Sequence, residues 1–534
     1  MATLIGLGLE NFRVFKEYTE FDFAPITLLT GANNSGKSSL IKALLLLADN
    51  TGKRKNLLEE LDFSGELTDL HNLGSFDLAL NNTNGEKKDM EFQGIYKKDN
   101  AIFKLILNYV EKNGKNKLNF FKIMRYNEST GSFYHIVSIL LKEQQDYYSS
   151  FIGVAYFLQE NFSKELRKTD YFDENDQDSR NINFIDEEIQ KKIELINTQH
   201  CKAFLKELND VLISWLSLQF IPKNRLNFGD YVQKHLEKLG EYSSLSNLEK
   251  FKKFGALRNN PDYKSYFSFL TEEYLIRKIL KKKYAEYLVE IPQVLSKLIN
   301  ELIENIDFEF ETSIRANSKR FYIVVSQGTL FNDLLVKFNK MKFAEKSKEQ
   351  YFINKWLQKF EIADRIKFFW REAVGTEIKL YKNNKELDLA DLGFGVTQLL
   401  PILMRIVMCK TNYLILEEPE NSLHPNLQSK LADLLIDASK PVDKGGFGIR
   451  FIVETHSEYL IRKLRVLTKK GVINKEDAVI YYFQNPENLQ ESEKLVRKIQ
   501  INHDGFMTDD FGNGFTDESD NLMIELYDLP NRPN

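Results

Sequence analysis

The chain has 534 residues, 43% hydrophobic and 28% charged, with a formal net charge of −4. That balance excludes a general nucleic-acid coat protein, which would be strongly basic; binding of that kind would have to use local patches. Two cysteines, Cys201 and Cys409, cannot build a disulfide framework and point to a reducing compartment. The opening residues lack a basic segment followed by an apolar core, and the longest apolar runs, such as 40–48, are too short to span a bilayer. A soluble protein located in the cytoplasm is expected.

Taken in chain order, residues 1–30 alternate apolar and polar positions or form short buried runs, which predicts strands in "TLIGLGLENF", "EFDFA" and "PITLLT". "SSLIKALLLLADN" has the length and composition of a helix. From about 86 to 124, three alternating stretches separated by Asp-Asn and Asn-Gly turns predict an antiparallel meander. From about 135 to 305 apolar residues recur at three and four, the pattern of amphipathic helices, with an acidic loop at 171–181 and no sustained heptad. Strands return after 305, helices are expected at 329–343 and 348–361, and "TEIKLYKNNKELDLADLG" reads as a hairpin. The remainder alternates strand and helix, the signature of a mainly parallel sheet covered by helices, and closes with a hairpin made by "EDAVIYYFQ" and "SEKLVRKIQIN".

Chemistry concentrates at four places. "GANNSGKSS" (31–39) follows a strand, opens a helix, and fits G-x-x-x-x-G-K-[ST]. Glycines there let backbone N–H groups turn inward onto phosphate oxygens. The candidate nucleotide-binding residues are Gly31, Asn33, Asn34, Ser35, Gly36, Lys37, Ser38 and Ser39, with Lys37 neutralising phosphates and Ser38 ligating Mg2+. The second place is "LILEEPENSLHP" (414–425), an apolar run ending in two carboxylates. Glu417 is the candidate metal-side acid and Glu418 the general base for the attacking water.

The third place is "DLGFGVTQLLPIL" (391–403), where Gly393, Gly395, Thr397 and Gln398 open a helix and form a second anion-binding terminus. One nucleotide hardly needs two such termini from one subunit, so this one is expected to cap the γ-phosphate held by the partner in a head-to-tail dimer. The fourth is "RFIVETHSEYL" (450–460), which places His456 at a strand end, where it can bond the γ-phosphate. Lys37 and Glu417 lie 380 positions apart, so the ATPase fold must be split by the helical stretch.

The order of phosphate loop, glycine signature, acidic strand and strand-end histidine resembles that of ABC-type ATPases. "ENFRVFKEYTEFDFAPITLLTGANNSGKSSLIKAL" is similar to the first strands of RecF/SMC-like and OLD-like (overcoming lysogenization defect) ATPases. "LGFGVTQLLPIL", "LEEPENSLHP" and "VETHSEYLIRKL" resemble the OLD-like branch in particular. The resemblance implies an α/β fold: an ABC-type P-loop ATPase head, with a mainly parallel sheet plus an antiparallel β lobe, split by a large helical insertion. The expected boundaries are 1–130 for the N-terminal part of the head, 131–305 for the insertion and 306–534 for the C-terminal part.

It also implies ATP and Mg2+ as cofactors, Ser38 and Glu417 as the metal side, Glu418 as the catalytic carboxylate and His456 as the switch histidine. The chain departs from its relatives with Glu417 in place of Asp and Ser422 in place of His. Gln93 and the 71–76 segment are alternative glutamine-loop candidates. Arg13 is a candidate nucleotide contact, with Phe12 and Phe15 reading more simply as a core strand.

Full OLD proteins append a Toprim nuclease; 78 residues follow His456 and contain no apolar strand running into Asp-x-Asp, so no nuclease activity is expected. The implied function is a slow, homodimeric ATPase that senses or gates a separate effector nuclease in bacterial anti-phage defence. The partner is HNH-type in Septu-like systems and Toprim-type in PARIS-type systems. The alternative from another class is a RecF/SMC-like repair ATPase that binds duplex DNA, for which 277–284 and 336–348 are the basic candidates. A non-hydrolysing nucleotide clamp is the third reading.

Overall fold

The computed structural model describes residues 2–51, 57, 60–81, 88–112, 114–127, 131–140, 298–303, 306–313, 322–323, 330–341, 343, 347–371, 375–486, 489, 493–512 and 522–526. The acidic loop at 171–181, the basic run at 277–284, Cys201 and most of the expected helical insertion lie outside these residues.

From the N-terminus the elements are β1 (Thr3–Glu10), β2 (Thr19–Asp22), β3 (Ile26–Gly31), α1 (Lys37–Asp49), α2 (Glu66–Leu70) and α3 (Phe76–Ala79). Then come β4 (Asp89–Lys98), β5 (Ala101–Lys112), β6 (Lys115–Asn127) and β7 (Ser132–Leu140). After residue 305 follow β8 (Glu309–Glu311), β9 (Tyr322–Ile323), α4 (Leu330–Lys340), α5 (Lys348–Lys359), β10 (Arg365–Arg371), β11 (Gly375–Lys382) and β12 (Lys385–Asp388). The last are α6 (Phe394–Met408), β13 (Tyr413–Glu417), α7 (Pro425–Ser439), β14 (Arg450–Glu454), α8 (Glu458–Lys469), β15 (Ala478–Phe483) and β16 (Val496–Gln500).

The chain forms two units. One comprises residues 1–4, 50–62 and 87–305; the other comprises 5–49, 63–86 and 306–534. In the first, β4, β5, β6 and β7 make an antiparallel meander in sequence order. Its register shifts at Asn108/Tyr109 and at Ile123/Met124, irregularities of the kind at which a ribbon bends and its local twist increases. Tyr109 is fully buried and donates its hydroxyl to the Leu57 carbonyl at 2.5 Å. β7 carries the meander past residue 130, into a stretch whose sequence reads as the start of the insertion.

The second unit holds a six-stranded sheet in the order β16-β15-β3-β14-β13-β8, parallel throughout except for the antiparallel edge strand β16. Strands β3 and β15 are buried at every residue, which is why they read as continuous apolar runs rather than alternating ones. Helix α1 is buried nearly all round, from Leu40 to Leu47, so it is a core element rather than a surface helix.

Arg405 on α6 fastens the β8 edge, with Nε 2.7 Å from Glu311 and Nη1 3.4 Å from Glu309. Strands β10, β11 and β12 form a separate antiparallel ribbon, joined by β9. Trp356 of α5 is fully buried in the core of this unit, and its indole N–H meets Asp437 of α7 at 3.1 Å. A parallel sheet with its strand ends pointing one way gathers loops at one edge, and that edge carries the site. Among the described residues, no helix is long and apolar enough to cross a membrane.

Candidate functional site

The loop between β3 and α1 is shaped by two residues with left-handed backbone, Gly31 at φ 126° and Gly36 at φ 109°. A β-carbon on Gly31 would lie 2.1 Å from the Phe483 carbonyl oxygen, so only glycine lets β3 run this close to the end of β15. Between them Asn33 and Asn34 are exposed at the lip, and Asn34 also has positive φ. Ser35 is buried and donates to the Ala32 carbonyl at 2.6 Å, which closes the turn.

Lys37, the first residue of α1, is buried and curls back onto its own loop, donating to Gly31 O at 3.1 Å and Ala32 O at 2.7 Å. Burial lowers its pKa, while Glu454 and Glu418 oppose that shift. The next residue, Ser38, lies within hydrogen-bond distance of both carboxylate oxygens of Glu454, at 3.2 and 3.4 Å. Ser39 is buried and its N–H bonds the Gly36 carbonyl at 2.9 Å.

Glu454 ends β14, directly beside Glu417 in the parallel register of β13 and β14. It is 8% exposed, and burial raises its pKa, opposed by Lys37 and Ser38 and reinforced by Glu418 and Glu420. Glu418 follows β13 with φ 42°, a strained conformation for a non-glycine residue, and its N–H bonds the Glu454 carbonyl at 2.7 Å. Glu420, also 8% exposed, accepts the His456 backbone N–H on Oε1 at 2.7 Å. Its other oxygen, Oε2, is buried without a hydrogen-bond partner. Burial raises the Glu420 pKa, opposed by hydrogen bonds from backbone N–H groups and the Thr455 side chain and reinforced by Glu418.

His456 opens to solvent on one side; partial burial and then Lys37 lower its pKa, with Glu418 acting the other way. Ser457 behind it caps α8, accepting the Leu460 N–H at 3.2 Å and donating to Gln428 Oε1 at 2.7 Å. The loop, Glu418, Glu454 and His456 therefore stand around Lys37 at the C-terminal ends of β3, β13 and β14. Residues 4–461 match the family model described as the AAA ATPase domain.

The chain belongs to the AAA ATPase domain family.

Solved structures with some likeness to it include the SMC head domain from Thermotoga maritima, at 10% identity and TM-score 0.31, covering 93% of this chain and 99% of that one. A second is the Smc head domain with an extended coiled coil bound to the C-terminal domain of ScpA from Pyrococcus furiosus, at 12% identity and TM-score 0.32, covering 99% and 100%. Scores of that size carry no inference. No curated protein matches the chain.

Within this AAA ATPase domain the remaining candidates fall in different places. Glu417 ends β13 beside Glu454. Its Oε1 lies 3.8 Å from His71 Nδ1, and its charge acts on Lys42 of α1. His71 is held neutral, its pKa lowered to about 4 by burial and by Lys42, so this contact is not an ion pair. Its ring packs edge-on against Phe310 at 4.5 Å. Thus the 71–76 segment approaches Glu417, whereas Gln93 sits inside β4 of the other unit and donates to Glu91 at 2.7 Å.

At the start of α6, Gly393 is exposed, but Thr397 and Gln398 are buried. Neither side chain is at the surface of the single chain. Gly395 packs on the turn after β13, where a β-carbon would lie 2.7 Å from the Ser422 carbonyl oxygen. Ser422 itself has φ 63°. This contact ties the glycine signature to the Asn421–Ser422 turn within one chain.

Phe12 and Phe15 are buried and bridge to each other, as core residues do. Arg13 between them is half-buried with its pKa lowered by burial, and its N–H bonds the Ala79 carbonyl at 2.7 Å.

Sequence reasoning passed over Glu454 and Glu420. The signal for Glu454 was present: "FIVE" ends a buried apolar run in a carboxylate, as "YLILE" does.

Proposed function

We propose that this chain binds ATP with Mg2+ at the 31–39 loop and hydrolyses it slowly, as a homodimer whose assembly depends on the γ-phosphate. The observation that carries this reading is the convergence on Lys37 of the phosphate-binding loop, Glu418 and His456 at neighbouring strand ends. The donor set fits a divalent cation. Ser38 offers a hydroxyl, and the buried carboxylate of Glu454 lies within hydrogen-bond distance of it. Mg2+, when bound, supplies charge neutralisation on the phosphate oxygens.

The chain's own residues account for the rest. The glycine-shaped loop presents its N–H groups to the phosphates, and Lys37, already buried, meets them without further desolvation. Glu418, whose backbone N–H bonds the Glu454 carbonyl, accepts a proton from the attacking water. His456, favoured in its neutral form, can hydrogen-bond the γ-phosphate and lose that bond on its release. Replacing Lys37 with Ala should abolish binding of a fluorescent ATP analogue, and wild-type affinity in that variant would remove the basis of the assignment.

The finer reading is that the ATPase gates a separate effector nuclease of HNH type in a Septu-like anti-phage system. It is supported by the resemblance of "LGFGVTQLLPIL", "LEEPENSLHP" and "VETHSEYLIRKL" to OLD-like ATPases. The product of the neighbouring reading frame tests it by co-purification. An HNH protein supports the Septu-like reading, a Toprim protein moves it to the PARIS-type arrangement, and capture of neither counts against an effector.

A further inference from the structure

We infer that the apolar segment 522–526 of one copy of this chain docks on the edge strand β10 of a second copy, where its acidic flanks meet Arg365 and Arg371. The contact is separate from the nucleotide site, and both of its halves lie in the second unit.

The tail supplies one half. Residues 522–526 form a short helical turn in which Leu522, Met523, Ile524 and Leu526 are 48–61% exposed. Five residues are too few for a helix to hold itself, and neighbouring apolar side chains left in water mark an interaction segment. The sequence around them is one-sided in charge. Asp517, Glu518, Asp520, Glu525 and Asp528 lie within it, and no Lys or Arg occurs from 504 to 531.

Strand β10 supplies the other half. It is the outer strand of its ribbon, and its sequence, "RIKFFWR", holds three bases and no acid. Two side chains of α5 cover the edge at Ile366: Asn354 accepts its N–H at 3.0 Å, and Gln350 donates to its carbonyl at 3.2 Å. Beyond that point Phe369 and Trp370, on opposite faces of the strand, are 43% and 40% exposed. The carboxylates of β11 and β12 gather on Lys379, with Asp388 at 2.6 Å, Glu377 at 3.0 Å and Glu386 at 3.2 Å. Arg365 and Arg371 stay exposed, the first over the Tyr381 ring and the second 3.8 Å from Glu377. A strand edge with exposed apolar side chains is a template for another segment.

Charge decides which segment. Two β10 strands paired antiparallel about Phe368 would set Arg365 against Arg371, and two tails would bring carboxylates together; both arrangements are unfavourable. A tail on an edge pairs opposite charges and covers apolar surface on each side. Within one chain both surfaces are exposed, so the tail is not seated on its own β10. The chain thus carries the complement of its own tail, and the partner is a second copy, bound head-to-tail.

The test is sedimentation velocity of the full chain in EDTA, without nucleotide, over a range of protein concentrations. Compared are wild type, a tail variant (Leu522→Ser, Ile524→Ser, Leu526→Ser) and an edge variant (Phe369→Ser, Trp370→Ser), each checked for a wild-type melting temperature. Wild type should associate as concentration rises, more weakly at high salt. Each variant should lose about 10-fold or more of that association. An equimolar mixture of the two variants should regain part of it, because one brings an intact edge and the other an intact tail.

A wild type that stays monomeric throughout the range, association undiminished in either variant, or a mixture no stronger than its components overturns the proposal. If the edge variant fails to fold, Arg371→Glu, which reverses an exposed charge, takes its place. Weakened association in that variant supports the proposal, and undiminished association overturns it.

Discussion

A β-carbon at position 31 would sit 2.1 Å from the Phe483 carbonyl, on a backbone with φ 126°. Gly31→Ala must therefore shift β3 or β15, at a cost of about 1–3 kcal/mol from the left-handed backbone alone. The variant is expected to show a lower melting temperature together with weakened nucleotide binding.

His71 supports a prediction in pH. Its folded pKa is lowered to about 4 from 6.5, so the unfolded chain takes up the proton first as pH falls. The stability associated with neutral His71 is complete above pH 6.5 and is lost as pH drops toward 4. In His71→Gln that loss is absent, so the gap in melting temperature between wild type and variant should shrink across this window. Parallel curves for the two proteins would show that His71 does not titrate in this way.

The residues of this site were unevenly legible. Lys37 and Ser38 announce themselves because a loop that wraps phosphate needs fixed spacing. The contact of Glu454 with Ser38 was hidden because it depends on which strand lies beside β3, and strand order is not written in any local pattern. His71 was hidden for the same reason, since its neighbour Glu417 is far away in the chain.

Among the elements, helix starts were the easiest to place, because their caps are local. Ser457 accepts the Leu460 N–H at 3.2 Å and bonds Gln428 of α7 at 2.7 Å, fixing the first turn of α8 just behind His456. Ser457→Ala should lower stability by about 1 kcal/mol, measured by denaturant unfolding. An unchanged midpoint would mean that the cap does not anchor this helix. Ser347 plays the same local part for α5, accepting from Gln350 N at 3.2 Å.

Strand β10 was harder to foresee. "RIKFFWR" has its burial concentrated at Ile366, with Phe369 and Trp370 exposed, so the alternation that marks a half-buried strand is missing. Strand β7 was obscured where the meander meets the helical pattern after 135. The parallel strands β3, β13, β14 and β15 were clear because burial on both faces leaves them uniformly apolar.

At the scale of the whole molecule, the second unit is drawn from both ends of the sequence. β3 near the N-terminus lies between β14 and β15, more than 400 positions later. The sheet therefore brings the loop of Lys37 and the strand ends of Glu418 and Glu454 together only when the distant segments meet. The burial of Thr397 and Gln398 leaves Gly393 as the exposed residue of this helix start, so in the proposed homodimer contacts through this terminus should depend on backbone shape rather than on those side chains.

The central claim is that ATP bound at the loop is hydrolysed through Glu418. It is tested most directly by phosphate release from Mg–ATP, measured in wild type and Glu418→Gln at equal nucleotide occupancy. Wild type should release phosphate slowly and steadily, and the variant should release it roughly 100-fold or more slowly with ATP still bound. Release by Glu418→Gln at the wild-type rate would contradict it.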